Sequence, residues 1–116
     1  MKRVLVMAAV AFAIAAGPLY AQDAKEQKGL KVYTDQKCSM CHSIGGHGNA
    51  KGPLDEVGSK LTADEIRQWI VDAKGMTAKS KSTRTPAMST MAAKYAALPK
   101  DDVDALVAYL QTLKKK

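Results

Sequence analysis

Aromatic residues are scarce in this sequence. Its 116 residues include one tryptophan, one phenylalanine and four tyrosines, and the phenylalanine, Phe12, lies close to the N-terminus. A domain of this size buries only a modest core, so a bound cofactor at its centre would supply bulk that the side chains lack. The same scarcity argues against nucleic acid as a partner.

Hydrophobic runs are short. The apolar stretch at residues 4–16 falls below the length of about 20 residues that a membrane-spanning helix needs. Two basic residues precede this stretch, and Ala21 follows it as a small residue suited to cleavage, which is the pattern of a secretory signal peptide. We therefore predict a signal peptide over residues 1–21, and a mature domain over residues 22–116 that is exported to the periplasm. A retained membrane anchor is the alternative.

Strand patterns are absent, since apolar and polar residues do not alternate over any useful length. The sequence therefore predicts an all-α fold. Residues 22–37 form the first predicted helix, and a glycine-rich stretch over residues 42–60 is predicted to be an irregular loop without helix or strand. Thr62 and Glu65 have the spacing of a capping box that begins the next helix, and Gly75 is predicted to end it.

The C-terminal part alternates between loop and helix. Residues 76–90 are predicted to form a long exposed loop, followed by a short helix over residues 90–97. The last helix is predicted to begin with Pro99 in its first turn. Its apolar residues repeat at intervals of three and four, which indicates one buried face: Val103, Leu106, Val107, Leu110 and Leu113.

Cysteine and histidine occur only twice each, and three of these four residues form one motif. Cys38-Ser39-Met40-Cys41-His42 reads C-x-x-C-H, which is the attachment motif for c-type haem. The two thiols add to the two vinyl groups on one edge of the porphyrin, because two intervening residues place the sulfurs one helical turn apart. His42 then lies under the iron and binds it through a ring nitrogen.

Three other uses of this motif are less well supported by the sequence. A redox dithiol normally follows a strand in a βαβ unit, and no strand is predicted. A zinc site would need a fourth ligand, for which His47 is the only candidate. A disulfide between Cys38 and Cys41 would close too small a ring to stabilise the chain much. Export also favours covalent haem attachment, which occurs outside the cytoplasm.

With this motif, the chain resembles the class I cytochromes c, which carry one haem with histidine and methionine on the iron. Gly29 and Tyr33 in the first helix, with Leu106 and Tyr109 in the last, look like the residues at which the terminal helices of that family cross. The resemblance implies three to five helices wrapped around one covalently bound haem c. It also implies single-electron transfer rather than enzymatic activity.

Two further segments resemble parts of the family's haem pocket. Gly52-Pro53-Leu54 is similar to a G-P-x-L segment, in which the carbonyl of Pro53 would accept a hydrogen bond from the ring N–H of His42 and so orient it. Trp69 lies in a segment similar to a haem-packing helix and would line the pocket.

The resemblance takes the sixth iron ligand from a methionine on a proline-containing loop. Met88 fits this role because Pro86 would stiffen its loop, whereas Met91 has the family's spacing from Leu98 and is the alternative. The proline that usually follows the ligand is missing after both methionines.

These features predict a monomeric periplasmic electron carrier. A haem subunit of a larger oxidoreductase and a five-coordinate haem sensor are the alternatives. Lysine and arginine outnumber aspartate and glutamate by 18 to 11 in the full chain, and by 16 to 11 (a net charge of +5) once Lys2 and Arg3 are removed with the predicted signal peptide. This charge would suit partners with acidic docking surfaces. Five basic residues are candidates to surround the exposed haem edge and steer such partners: Lys37, Lys51, Lys79, Lys81 and Arg84.

Overall fold

The computed structural model describes residues 17–116, with side chains from residue 23 onwards. Most of the predicted signal peptide lies outside these residues, and α1 includes the predicted cleavage position, so cleavage stays a prediction. No helix in this described part is both long and apolar enough to cross a membrane. The elements are α1 (Gly17–Asp35), a 3-10 turn (Cys38–Met40), β1 (Ser43–Ile44), β2 (His47–Gly48), α2 (Val57–Lys60), α3 (Ala63–Val71), α4 (Ala73–Ser80), a second 3-10 turn (Met88–Met91), α5 (Ala92–Ala96) and α6 (Lys100–Gln111).

The all-α class is confirmed, and the described part holds six α-helices where three to five were expected. The difference comes from α2 and α5, which have only four and five residues. One buried cluster joins α1, α3 and α6, and it contains most of the apolar residues predicted for α6. Its buried members are Val32, Tyr33, Ile66, Ile70, Val103, Leu106, Val107 and Leu110, with Leu113 packed against them.

The first and last helices cross at Gly29, as predicted. A Cβ atom on Gly29 would collide with the carbonyl oxygen of Ala105 and with Cβ of Tyr109, so only glycine permits the backbones to approach this closely. The rings of Tyr33 and Tyr109 pack across the crossing, with centroids 6.4 Å apart and planes inclined at 59°. This contact fixes α1, and the segment that follows α1, relative to α6.

Helix α3 begins with the predicted capping box. The Glu65 amide donates to Oγ1 of Thr62 at 3.2 Å, and the Thr62 amide donates to Oε1 of Glu65 at 3.1 Å. The prediction that Gly75 ends this helix is wrong, because α3 stops at Val71. Asp72 then begins α4 by accepting the amide hydrogen of Gly75 at 3.2 Å, which is the usual N-cap role of aspartate.

Two predicted loops contain regular structure. Residues 42–60, predicted to lack strands and helices, hold α2 and a two-residue hairpin that pairs Ser43 with Gly48 and Ile44 with His47. Strands of two residues are too short to show alternation. The predicted loop over residues 76–90 is largely wrong as well, because α4 continues to Ser80 and leaves an irregular segment only over residues 81–87.

The last two helices lie close to their predicted positions. The expected short helix over residues 90–97 corresponds to α5 (Ala92–Ala96), which continues from the second 3-10 turn. Pro99 is the N-cap residue of α6 rather than part of its first turn, so the helix begins one residue later than predicted.

Candidate functional site

The C-x-x-C-H motif forms a tight turn at the end of α1. Lys37 has a left-handed backbone conformation (φ 56°), and it separates the helix from the 3-10 turn that starts at Cys38. The amides of Cys41 and His42 both donate to the carbonyl of Cys38, at 3.1 and 2.9 Å. Neither cysteine forms a disulfide with another described residue, and both are partly exposed, so a ligand can reach both sulfurs.

A largely apolar cavity of about 290 Å³ opens beside this turn. Four of the predicted site residues contribute to its wall, namely Cys38, His42, Trp69 and Met88. The complete lining comprises Tyr33, Cys38, His42, Leu54, Val57, Leu61, Ile66, Trp69, Ile70, Thr77, Ser82, Arg84, Met88, Leu106 and Leu110.

The imidazole of His42 is held through one nitrogen. Its Nδ1 atom lies 3.0 Å from the carbonyl oxygen of Gly52. Because a carbonyl can only accept, Nδ1 is the protonated nitrogen, and the lone pair on Nε2 is free to bind a metal. The hydrogen bond therefore selects the tautomer that a metal ligand needs.

The sequence predicted the carbonyl of Pro53 as the acceptor of this hydrogen bond. That prediction is wrong, because the acceptor is the carbonyl of the preceding residue, Gly52. Ser43 and Pro53 form a parallel bridge, in which the Ser43 amide donates to Gly52 at 3.1 Å and the Leu54 amide donates to Ser43 at 2.8 Å. This register turns the Gly52 carbonyl towards the residues around His42. The sequence could not specify the register of such an irregular pair.

Burial favours the uncharged forms of two groups in the cavity. Burial lowers the pKa of His42, opposed by its hydrogen bond to Gly52 and assisted by the positive charge of Arg84. A lowered pKa keeps the imidazole neutral, which is the form that binds a metal. Before a ligand is attached, burial also raises the pKa of the Cys38 thiol to about 11, so this thiol is protonated near neutral pH.

The two candidate methionines occupy different environments. Met88, at the start of the second 3-10 turn, is partly buried and lines the same cavity as His42. Met91, at the end of that turn, is 36% exposed and does not contribute to the lining. Of the other methionines in the described part, Met76 is buried and Met40 is 70% exposed, and neither lines the cavity.

Arg84 occupies a position that the sequence did not predict. The sequence made it one of five candidates to surround the exposed haem edge, whereas its partly buried side chain lines the cavity itself, and Nη2 donates a hydrogen bond to the carbonyl of Cys41. One feature of the sequence could have indicated this position: Arg84 is the one arginine in residues 76–90, and it lies four residues before Met88. The four lysines of the same predicted patch are exposed: Lys37, Lys51, Lys79 and Lys81.

The zinc alternative finds no site in the described part of the chain. Residues 17–116 contain no group of three or more histidine, cysteine, aspartate or glutamate side chains arranged to hold a metal ion. His47, the candidate fourth ligand, lies exposed in β2. The site instead combines two thiols, one imidazole with a free Nε2 atom, a thioether and an apolar cavity, and this donor set fits a covalently bound haem.

Comparison with known proteins identifies the family. A sequence model of the family described as Cytochrome c matches residues 26–114. Cytochrome c oxidase subunit 2 of Alkalihalophilus pseudofirmus is 27% identical over 96 residues, which cover 75% of this chain but only 25% of that protein. No solved structure matches the chain. The chain therefore belongs to the cytochrome c family and is a haem-binding electron-transfer protein with covalently attached haem c.

Proposed function

We propose that the protein is a periplasmic carrier of single electrons, with haem attached to Cys38 and Cys41 and with His42 and Met88 as the axial iron ligands. One observation carries this proposal: His42, with its Nε2 atom free, and Met88 line the same apolar cavity. Haem iron that also has two axial protein ligands is six-coordinate and has no position left for a substrate, which favours electron transfer over catalysis. Methionine as the second ligand raises the reduction potential.

The choice of Met88 over Met91 rests on exposure. A methionine ligand has to face the interior of the haem cavity, and Met88 does so, whereas Met91 is among the most exposed large apolar residues of the described chain. The two residues lie at opposite ends of one 3-10 turn. If Met91 replaced Met88 as the iron ligand, the turn itself would therefore have to rearrange.

The remaining cavity residues hold the ligands and exclude water. Gly52 orients His42, while Trp69, Ile66 and Leu106 supply apolar surface against which a planar cofactor can pack. A water-poor pocket disfavours the additional charge of the ferric state, so it also raises the reduction potential.

Location and partners form part of the proposal. Removal of residues 1–21 would release the domain into the periplasm, where covalent haem attachment takes place. Without Lys2 and Arg3 the domain keeps 16 basic against 11 acidic residues, and this net charge of +5 favours partners with acidic docking surfaces. The exposed lysines Lys37, Lys51, Lys79 and Lys81 are the candidates for contact with them.

A second candidate function is that of a haem subunit in a larger oxidoreductase. The observation in its favour is the similarity to cytochrome c oxidase subunit 2, of whose length this chain spans about a quarter. Purification from the native membrane and soluble fractions distinguishes the two: a free carrier elutes alone, whereas a subunit elutes with other chains.

Visible spectra of the exported protein test the iron ligation. The ferric protein is expected to show the weak far-red band of methionine-ligated haem, and the ferrous protein is expected not to bind carbon monoxide tightly. Met88→Ala should abolish the band and open the iron to carbon monoxide, whereas the matched control Met91→Ala should keep the wild-type spectrum. Loss of the band only in Met91→Ala would refute the assignment, and tight carbon monoxide binding by the unaltered protein would favour a sensor.

A further inference from the structure

Arg84 connects the two segments that face each other across the haem cavity. It lies in the loop over residues 81–87, which leads directly into the turn that carries Met88. Its Nη2 atom donates to the carbonyl of Cys41. A Cβ atom on Gly52 would collide with both that guanidinium and that carbonyl, so Arg84, Cys41 and Gly52 form one packed group.

This packed group adjoins both points at which His42 is held. Cys41 precedes His42 in the chain, and the Gly52 carbonyl accepts the hydrogen bond from Nδ1 of His42 at 3.0 Å. The guanidinium group offers several N–H donors in a rigid plane. It can therefore hold the Met88 loop against the attachment turn in a defined geometry.

No ion pair with another residue of the described chain neutralises the charge of Arg84. The five ion pairs between residues of the described chain involve other side chains. A cation near the imidazole of His42 also lies near the iron that this imidazole would bind. Because oxidation of the iron adds positive charge, a fixed cation there favours the ferrous state.

We propose that Arg84 is a positioning residue, which ties the Met88 loop to the haem-attachment turn and raises the reduction potential through its charge. The tie rests on the proposed function, because it needs Met88 as the sixth ligand. The effect of the charge needs only the covalently bound haem of the family.

Two substitutions in the holoprotein separate the contact that holds the Met88 loop from the effect of the charge on the reduction potential. Arg84→Lys keeps the charge but loses the planar set of donors, whereas Arg84→Gln loses the charge as well. Arg67→Gln is the matched control, because Arg67 forms an ion pair with Asp104 at 2.7 Å and does not line the cavity. The readouts are the midpoint potential at pH 7 and the dissociation constant of imidazole, which competes with the methionine for ferric iron.

Arg84→Gln should lower the equilibrium constant for reduction about 3- to 10-fold, which corresponds to about 28 to 59 mV at 59 mV per tenfold change. Arg84→Lys should keep the potential close to that of the wild type. Both substitutions should tighten imidazole binding at least threefold, because the Met88 loop is less firmly held. Arg67→Gln should change neither quantity, although it removes an ion pair.

Each half of the proposal can be overturned separately. Equal potentials in Arg84→Gln and the wild type would reject the effect of the charge, and unchanged imidazole affinity in both variants would reject the tie. The midpoint potential could depend on pH between about pH 5 and 8 in Arg84→Gln but not in the wild type. That result would show that the guanidinium pairs with a haem propionate, and it would overturn the contact with Cys41. If Met88→Ala kept the far-red band, the proposed ligation would fail and the tie with it, while the potentials would still decide the effect of the charge.

Discussion

Gly52 supplies two things to the site that no other residue type can supply together. Its carbonyl accepts the hydrogen bond from His42, and its missing side chain leaves room for the carbonyl of Cys41 and the guanidinium of Arg84. A methyl group at this position would have to displace backbone. The residue is therefore a steric requirement of the site as well as a hydrogen-bond acceptor.

Gly52→Ala is expected to lower the free energy of unfolding of the holoprotein by about 1–3 kcal/mol, the usual cost of overpacking. The displaced carbonyl should also shift the reduction potential, because the orientation of His42 changes. Thermal unfolding and redox titration measure the two effects. The exposed neighbour Pro53 gives the control: Pro53→Ala should leave the potential unchanged, and an equal shift in both variants would contradict the role given to Gly52.

Tyr33 makes the free energy of unfolding fall at alkaline pH. Burial raises the pKa of Tyr33 to about 12, from an ordinary value of about 10. Because the unfolded chain loses this proton first, the contribution of Tyr33 is complete below about pH 10 and is lost as the pH rises through about 12. Urea unfolding of the holoprotein at several pH values should therefore show the free energy of unfolding falling in that range.

Tyr33→Phe is the matched control for this prediction. It keeps the ring that packs on Tyr109 and removes the titrating hydroxyl, whose contact with the carbonyl of His42 is long at 3.4 Å. The fall in stability above about pH 10 should be smaller in this variant. An identical pH profile in both proteins would assign the alkaline effect to other groups.

The sequence predicted much of the site but not its backbone partners. Cys38 and His42 were predicted from the spacing of their motif, Trp69 and Met88 from the resemblance to class I cytochromes c, and all four line one cavity. The Gly52 carbonyl could not be predicted, because every residue has a carbonyl and only the register of the Ser43 bridge selects this one. Arg84 was predicted only to surround the exposed haem edge, because residue type alone does not show where a long side chain points.

At the scale of elements, Gly29 determines how closely α1 and α6 can approach. Gly29→Ala should destabilise the holoprotein by about 1–3 kcal/mol through overpacking, even though alanine favours a helix over glycine by about 1 kcal/mol. Chemical denaturation measures the net effect. Lys25→Ala, at an exposed position of the same helix, should be close to neutral, and a stabilised Gly29→Ala protein would show that the crossing can relax.

Elements with local signals were predicted well, and those without were missed. The capping box of α3 depends on residues three apart, so the sequence alone revealed it. The end of α3 was misjudged because Asp72 begins a new helix immediately, and glycine three residues later suggested a terminator instead. The hairpin of β1 and β2 depends on backbone pairing over two residues each, together with Gly45 and Gly46 at positive φ, and it has no hydrophobic period to detect.

At the scale of the whole molecule, the net charge of +5 that remains without the predicted signal peptide should control how the protein meets its partners. We expect the second-order rate of electron transfer with an acidic redox protein to fall as ionic strength rises, because screening shortens the range of attraction to about 8 Å at physiological salt. Stopped-flow mixing over a salt series measures this. Exchange with a neutral small-molecule reductant is the control, and an equally steep salt dependence there would contradict electrostatic steering.

The crossing of α1 and α6 also joins the two ends of the domain, with nearly all of the intervening chain forming one closed loop. Closing such a loop costs entropy once, and the cost rises only slowly with its length. A peptide bond cut at one of the exposed residues of the segment 81–87 would remove the loop but leave the crossing intact. The two fragments, one carrying the haem and the other carrying α6, should therefore stay associated and behave as a two-chain complex whose stability depends on concentration.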